Sequence, residues 1–307
     1  MRGSADVRAA VPVLEAAGFT LPRWPCGWYV VARSADIPAG RVLTVELGGT
    51  ECVIFRAQNG ALGAVDAHCP HMGAHLKHGT VMGDCIRCPL HGWLVGSEGW
   101  QIAERFGLVF LHLGAKPSGP VPSPDDADAF IWTTGRPVTL QTDWHNMIAN
   151  SFDMPHLLSV HHRQLVEPLQ IERDSPRRVN LRYVSRVTGR RPSDRLMKWL
   201  SRDRIRVRMS CFGTVLLAET DLGFTSTAAV MGLLQNTSRG LRAFGAFGVK
   251  PGPFASVRLW LARVLFTAFL RRDFRVVEGM KLRTTNVRDP GMRAVLDFLQ
   301  RLPEYQR

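Results

Sequence analysis

AVDAHCPHMGAHLKHG (64–79) and GDCIRCPLHGW (83–93) decide how this chain is read. In these two boxes Cys69, His71, Cys88 and His91 form the pattern C-x-H-x16-C-x2-H. Each box supplies one thiolate and one imidazole, which suits a 2Fe–2S cluster whose cysteines hold one iron and whose histidines hold the other. Neutral histidines remove negative charge from such a cluster and raise its potential above that of an all-cysteine one. The site therefore reads as an electron relay. Pro70, Gly73, Pro89 and Gly92 break both boxes into tight loops. Cys85-x-x-Cys88 also admits a zinc site, but a zinc ribbon would want a second C-x-x-C, which this chain lacks. His68, His75 and His78 read as polar loop packing, and Cys85 as a buried free thiol.

About sixty residues later comes a second constellation, Asn150-Ser-Phe-Asp153-Met-Pro-His156-Leu-Leu-Ser-Val-His161. Two histidines with a carboxylate from elsewhere form a facial triad, which leaves positions open on a non-haem Fe(II). His156 and His161 are five apart, so they cannot share one face of a straight helix. The chain must bend between them, and Pro155 argues against an unbroken helix here.

Together these residues resemble the terminal oxygenase component of the Rieske non-haem iron oxygenases. The family signature (E/N)N-x2-D-x2-H-x4-H is met by Asn150, Asp153, His156 and His161, with Ala149 in place of the usual first residue. The resemblance implies that His156 and His161 bind iron. It also implies that Asp153 links the cluster to that iron, across neighbouring protomers of a homotrimer. His162 competes with His161, and the four-residue gap favours His161. The third ligand is expected from Arg272-Asp273-Phe-Arg-Val-Val-Glu278, which resembles the family's late D-x2-(I/V)-(L/V/W)-E element. Asp273 is the expected ligand and Glu278 the alternative.

WPCGWYVVARSADIPAG (24–40) and the two boxes resemble the steroid-acting branch, with 3-ketosteroid 9α-hydroxylase and cholesterol 7-desaturases, and ERFGLVFLHLG (104–114) resembles the strand that leads out of the family's Rieske domain. Position 74 is alanine, where respiratory-chain Rieske proteins carry a cysteine for a loop disulfide. Only ten residues (94–103) separate Trp93 from Glu104, where the family has a longer excursion, and the trimer interface is where this matters.

The expected fold class is α+β. Residues 1–23 form an N-terminal segment packing on the catalytic domain. Residues 24–115 form an all-β Rieske domain, and 116–128, rich in Pro, Gly, Ser and Asp, form a linker. Residues 129–307 form a helix-grip catalytic domain around an antiparallel sheet. Arg41–Leu47, Cys52–Ala57 and Ala61–Ala67 read as strands, the last two joined by an Asn59-Gly60 turn. Arg204–Met209 alternates strictly and places Ile205, Val207 and Met209 on one face. Thr214–Thr220, Phe224–Met231 and Ala243–Val249 are further strands. Leu157, Leu158, Met231, Phe244 and Phe247 are candidate pocket residues.

At 307 residues the chain has room for two domains. No apolar run is long enough for a membrane span, and 1–19 lacks a signal-peptide core. Six cysteines suit a reducing cytoplasm. The net charge of +13 comes without a nucleic-acid motif, so nucleic acid is not an expected partner. It would steer an acidic reductase or ferredoxin, or rest an Arg-rich helix near 255–272 on an anionic membrane. A plainly solvated basic surface is the third reading.

The resemblance implies O2-dependent oxidation of a hydrophobic steroid- or terpenoid-like substrate, first of all monohydroxylation, with desaturation or ring chemistry next. The implied cofactors are one 2Fe–2S cluster and one mononuclear Fe(II) per chain, with electrons from a separate NAD(P)H reductase. The alternative is an electron-transfer or ligand-binding protein whose second site holds no competent iron.

Overall fold

In the computed structural model, residues 18–306 are described except 98, 118, 224 and 237–239. The expected N-terminal segment lies outside the described residues up to position 17. The rest of it runs along the second half of the chain: the Trp144 indole N–H donates to the Arg23 carbonyl at 3.2 Å. Phe19 and Leu21 pack into the same apolar cluster as Trp144.

Short strands punctuated by glycine turns build the first half. They are β1 (Gly27–Arg33), β2 (Val42–Leu47), β3 (Thr50–Arg56), β4 (Leu62–Asp66), β5 (Thr80–Met82), β6 (Cys85–Arg87), β7 (Leu94–Gly96), β8 (Ile102–Arg105) and β9 (Leu108–Leu113). They form three antiparallel sheets, β1-β9-β8, β2-β3-β4 and β5-β6-β7. Gly60 turns β3 into β4 with a φ of 90°, a conformation glycine adopts without steric cost. The first metal box fills the connection from β4 to β5, and the second fills that from β6 to β7. The short stretch after Trp93 is used fully: β7 pairs with β6, and β8 begins six residues beyond its end.

One nine-stranded antiparallel sheet dominates the second half. Its strands are β10 (Ile131–Thr134), β11 (Val138–Leu140), β12 (Arg163–Leu165), β13 (Gln170–Ser175), β14 (Arg178–Val187), β15 (Ile205–Phe212), β16 (Val215–Asp221), β17 (Ser226–Asn236) and β18 (Gly240–Val249). The main order is β10-β18-β17-β16-β15-β14-β12, with β11 also on β18 and β13 also on β14. The helices are α1 (Trp144–Phe152), α2 (Met154–Ser159), α3 (Pro192–Leu200), α4 (Ala255–Val277) and α5 (Pro290–Leu299). This is an α+β chain. The expected strand at Phe224 begins at Ser226 and runs to Asn236, with Phe224 itself outside the described residues.

The two halves share a core in which Val30, Phe110, Val215, Val230 and Phe244 are all buried. A Cβ on Gly232 would lie 2.2 Å from the Val30 side chain, so this glycine lets β17 close on β1.

Candidate functional site

The two metal boxes fold into matching loops. In the first, Cys69 N–H donates to the Ala74 carbonyl and Gly73 N–H to the Cys69 carbonyl, at 2.9 and 2.8 Å. In the second, Cys88 N–H donates to the Trp93 carbonyl and Gly92 N–H to the Cys88 carbonyl, at 2.8 and 3.0 Å. Gly73 and Gly92 carry the positive φ, 75° and 74°, that closes each loop. Two congruent loops facing one another bring the side chains together in like pairs. Cys69 and Cys88 are buried in one small cluster with Leu76 and Ile86. The His71 and His91 rings lie 4.8 Å apart, centre to centre, and both are exposed. Backbone N–H groups of Leu90 and His91 hold the Cys88 thiol below its ordinary pKa, as a thiolate ligand requires. Buried thiols on one side and an exposed imidazole edge on the other fit a 2Fe–2S cluster with divided ligation.

Around that edge the surface is apolar, with Met72, Leu90 and Trp93 exposed and Trp93 stacked on His71 at 4.3 Å. Cys85 is not buried as expected but half exposed, beside Asp84. His75 caps a short turn through Lys77 N–H and approaches Glu51 at 3.1 Å, a structural use in keeping with loop packing.

The second constellation forms where α1 and α2 meet. Asp153 ends one helix and precedes the other, with Pro155 near the start of α2. α2 stops at Ser159, and His162 takes a left-handed φ of 53°, which reverses the chain into β12. That break carries His161 back towards His156, as the five-residue gap demanded. Their Nε2 atoms are 3.1 Å apart, and each is 2.7 Å from one oxygen of Asp273, on α4. All three side chains are buried. Two imidazole nitrogens converging on one carboxylate oxygen is a donor set that a divalent cation satisfies. Burial would raise the Asp273 carboxyl, but its bonds to His156 and His161 pull it below its ordinary value. Burial holds His161 below its ordinary value despite Asp273, so a neutral imidazole meets an ionised carboxylate. That pairing fits a hard-to-intermediate divalent ion such as Fe(II).

Asn150 donates from Nδ2 to the same Asp273 oxygen at 3.1 Å. Such outer partners fix the orientation of a ligand. His161 stacks on Phe269, 3.6 Å between ring centres. Asp153 is half buried on the same wall, and burial raises its carboxyl, with the charge of Asp289 adding to the effect. Glu278 is exposed and sits at the C-terminal cap of α4, away from this group.

The three side chains border a cavity of about 320 Å³ between the sheet, α3 and α4, within the usual range for small-molecule sites. Its walls are mostly apolar. Leu157, Met231 and Phe247 line it as expected, and so do Ile205, Val207 and Met209. Phe244 does not. The alternation of β18 turns Phe247 and Val249 into the cavity and sends Phe244 and Ala246 to the opposite face, against the first half of the chain. Leu158 also does not, because it points outward from α2 and is 52% exposed. The sequence reading missed Arg163, Tyr183 and Ser185, which supply polar atoms to the wall. Strand parity within β14 pairs Tyr183 with Ser185, but nothing in the sequence says which parity faces inward.

Residues 27–103 match the Rieske [2Fe-2S] domain model. Among curated proteins, the chain is 30% identical over 181 residues to the 3-ketosteroid-9-alpha-monooxygenase oxygenase component of Mycobacterium tuberculosis, covering 50% of this chain and 47% of that one. It is 28% identical over 171 residues to cholesterol 7-desaturase nvd of Bombyx mori, covering 48% and 38%. The matched part thus spans less than half the length of either relative. Among solved structures, NdmA of Pseudomonas putida CBB5 with caffeine superposes with a TM-score of 0.68 at 16% identity, covering 88% of both chains. Dicamba monooxygenase bound to 3,6-dichlorosalicylic acid superposes with a TM-score of 0.67 at 16% identity, covering 92% and 98%.

Proposed function

We propose that this chain, which belongs with the Rieske oxygenases beside their steroid-named branch, is an oxygenase component acting on a lipophilic, multi-ring substrate. One observation carries the reading: His156, His161 and Asp273 converge at the wall of a deep apolar cavity. An electron carrier has no use for such a cavity, and a ligand-binding protein has no use for a buried metal triad in its wall. In this reading residues 24–115 hold the cluster and 129–307 the mononuclear site. When bound, the cluster supplies one-electron transfer and the ferrous ion supplies dioxygen activation.

The remaining tasks fall to the chain's own side chains. Cys69 and Cys88 hold one end of the cluster, while His71 and His91 hold the other and face solvent. His156, His161 and Asp273 fix the mononuclear ion on one side, and Asn150 keeps the Asp273 carboxylate turned towards it. Asp153 joins the two centres, accepting from one histidine of each. The exposed His71/His91 edge, with its apolar surround, meets the Asp153 wall of a neighbouring copy in a homotrimer. The cavity walls exclude water and orient one substrate bond, with monohydroxylation the first expectation and desaturation or ring oxidation the next. A separate acidic NAD(P)H reductase or ferredoxin is drawn by the basic surface.

Purified protein should contain about three irons per chain, two in the cluster and one in the triad. With a generic reductase it should convert members of a steroid and terpenoid panel in an NADH- and O2-dependent way. Protein with two irons, full cluster EPR and no product from any member would return the reading to an electron carrier.

A cytoplasmic setting with peripheral membrane contact belongs to the same reading. None of the six cysteines is in a disulfide. Among the described residues no helix is long and apolar enough to cross a membrane. Yet α4 shows apolar side chains on two sides. Leu261, Leu265 and Phe269 line the cavity, while Val257, Trp260 and Val264 are exposed on the outside. Its charges are five arginines and the buried Asp273. A helix apolar on both sides and otherwise cationic suits an anionic lipid surface. Trp260→Ser should weaken sedimentation with phosphatidylserine vesicles while leaving turnover of a water-soluble substrate unchanged. Equal sedimentation of both proteins would remove the membrane from the reading.

A further inference from the structure

The cavity walls are largely apolar, and one of their polar places gathers Arg163, Tyr183, Asp194 and Arg272, with Ser185 on the same wall. Arg163 is the first residue of β12, two positions after His161 and therefore at the metal end of the cavity. It is only 9% exposed, and its Nη1 is buried without a hydrogen-bond partner. A guanidinium in that position is costly unless something pairs with it.

The obvious internal partner is already engaged. Asp194 is buried, and its Oδ1 accepts from Arg272 Nη2 at 3.1 Å. Its Oδ2 accepts from the Arg191 backbone N–H at 3.2 Å. Asp203, the other carboxylate whose charge reaches Arg163, accepts from the Val187 backbone N–H and pairs with Lys198. Both Arg163 and Arg272 lie beside Asp194, and only Arg272 is bonded to it. Among the described residues no carboxylate hydrogen-bonds the Arg163 guanidinium, which stays without a bonded partner in a largely apolar enclosure.

Resting on the oxygenase reading of this cavity, we propose that Arg163 anchors a carboxylate on the substrate, and that the substrate class is a multi-ring lipophilic acid rather than a neutral sterol. The planar fork of arginine matches a carboxylate with two parallel hydrogen bonds, which a hydroxyl or ketone cannot accept in that form. Tyr183 and Ser185, from the neighbouring strand, line the same stretch of wall. The apolar skeleton then extends away from Arg163 along Met209, Leu216 and Leu265. Because Arg163 lies so near His161, the acid end of the substrate is held at the metal, and the carbons close to it are the ones presented for reaction.

The test is equilibrium binding, measured by calorimetry on metal-loaded protein without reductase. The ligands are three pairs, each an acid with its methyl ester, built on steroid, diterpenoid and fused-aromatic skeletons. Wild type should bind the acid of at least one pair about 10- to 100-fold more tightly than its ester, the margin of a hydrogen-bonded charge. Arg163→Met should erase that preference while keeping or improving ester binding, and Arg163→Lys should retain part of it. Equal affinity for acid and ester in wild type, or an undiminished preference in Arg163→Met, would overturn the proposal and leave the oxygenase reading standing. If no acid and no ester of any pair binds, the multi-ring substrate reading fails and this inference fails with it. Cluster EPR and a thermal melt report whether Arg163→Met folds. If it does not, the acid-to-ester ratio of wild type decides alone.

Discussion

Asp153→Asn should leave both metal centres loaded and yet bring turnover to background. The substitution keeps the shape of the side chain and replaces none of the proposed ligands. A carboxylate accepts at both oxygens, whereas an amide turns one end into a donor, so at least one of two histidine contacts must fail. The position is apt for such a role. Asp153 stands at the joint between α1 and α2, half buried, and its carboxyl is raised by burial with Asp289 adding to the effect. The expected signature is a cluster that the reductase still bleaches at the normal rate, iron content unchanged, and no product. Near-normal product formation in Asp153→Asn would mean that the two centres are not joined through this residue. The compact stretch 94–103 would then be the place to look for another arrangement of neighbouring copies.

Loss of the triad should act at the other end of the same chain of events. His156→Ala, His161→Ala or Asp273→Ala should each lower iron from about three to about two per chain and abolish oxygenation. The EPR signal of the reduced cluster should persist, since its ligands lie in separate loops. Asp273→Ala is the most informative of the three, because one of its oxygens meets both histidines and Asn150. Glu278→Ala, at the exposed cap of α4, should retain full iron and activity. Iron retained in Asp273→Ala and lost in Glu278→Ala would reverse that assignment.

The local features of this fold were legible because short-range rules govern them. The paired boxes announced their loops through Gly73 and Gly92, whose positive φ only glycine takes up cheaply. The five-residue gap between His156 and His161 required a helix to end, and α2 ends at Ser159. Alternation in Ile205, Val207 and Met209 named a strand and put the three on one face. What stayed hidden depends on the sheet as a whole. Phe244 and Phe247 are equally apolar, and only the pairing of β18 with β10 and β17 decides which enters the cavity. Arg163 read as one more arginine in a basic chain. Its meaning comes from Asp194 and Arg272, some thirty and one hundred residues away, and from the fact that both Asp194 oxygens are already in use.

Of the 23 residues of α4, only Asp273 and Val277 are buried. The helix is thus buried only near its C-terminal end, while its first five turns form a cavity wall, tied at Arg258 to Thr225 and the Lys250 carbonyl. The strongest fastening is the carboxylate that meets both histidines. An ion bound there would add its binding free energy to the order of the helix, in the manner of any ligand that favours the folded arrangement. Metal occupancy and cavity shape would then be one equilibrium. On that reading the empty triad would hold its wall more loosely than the loaded one.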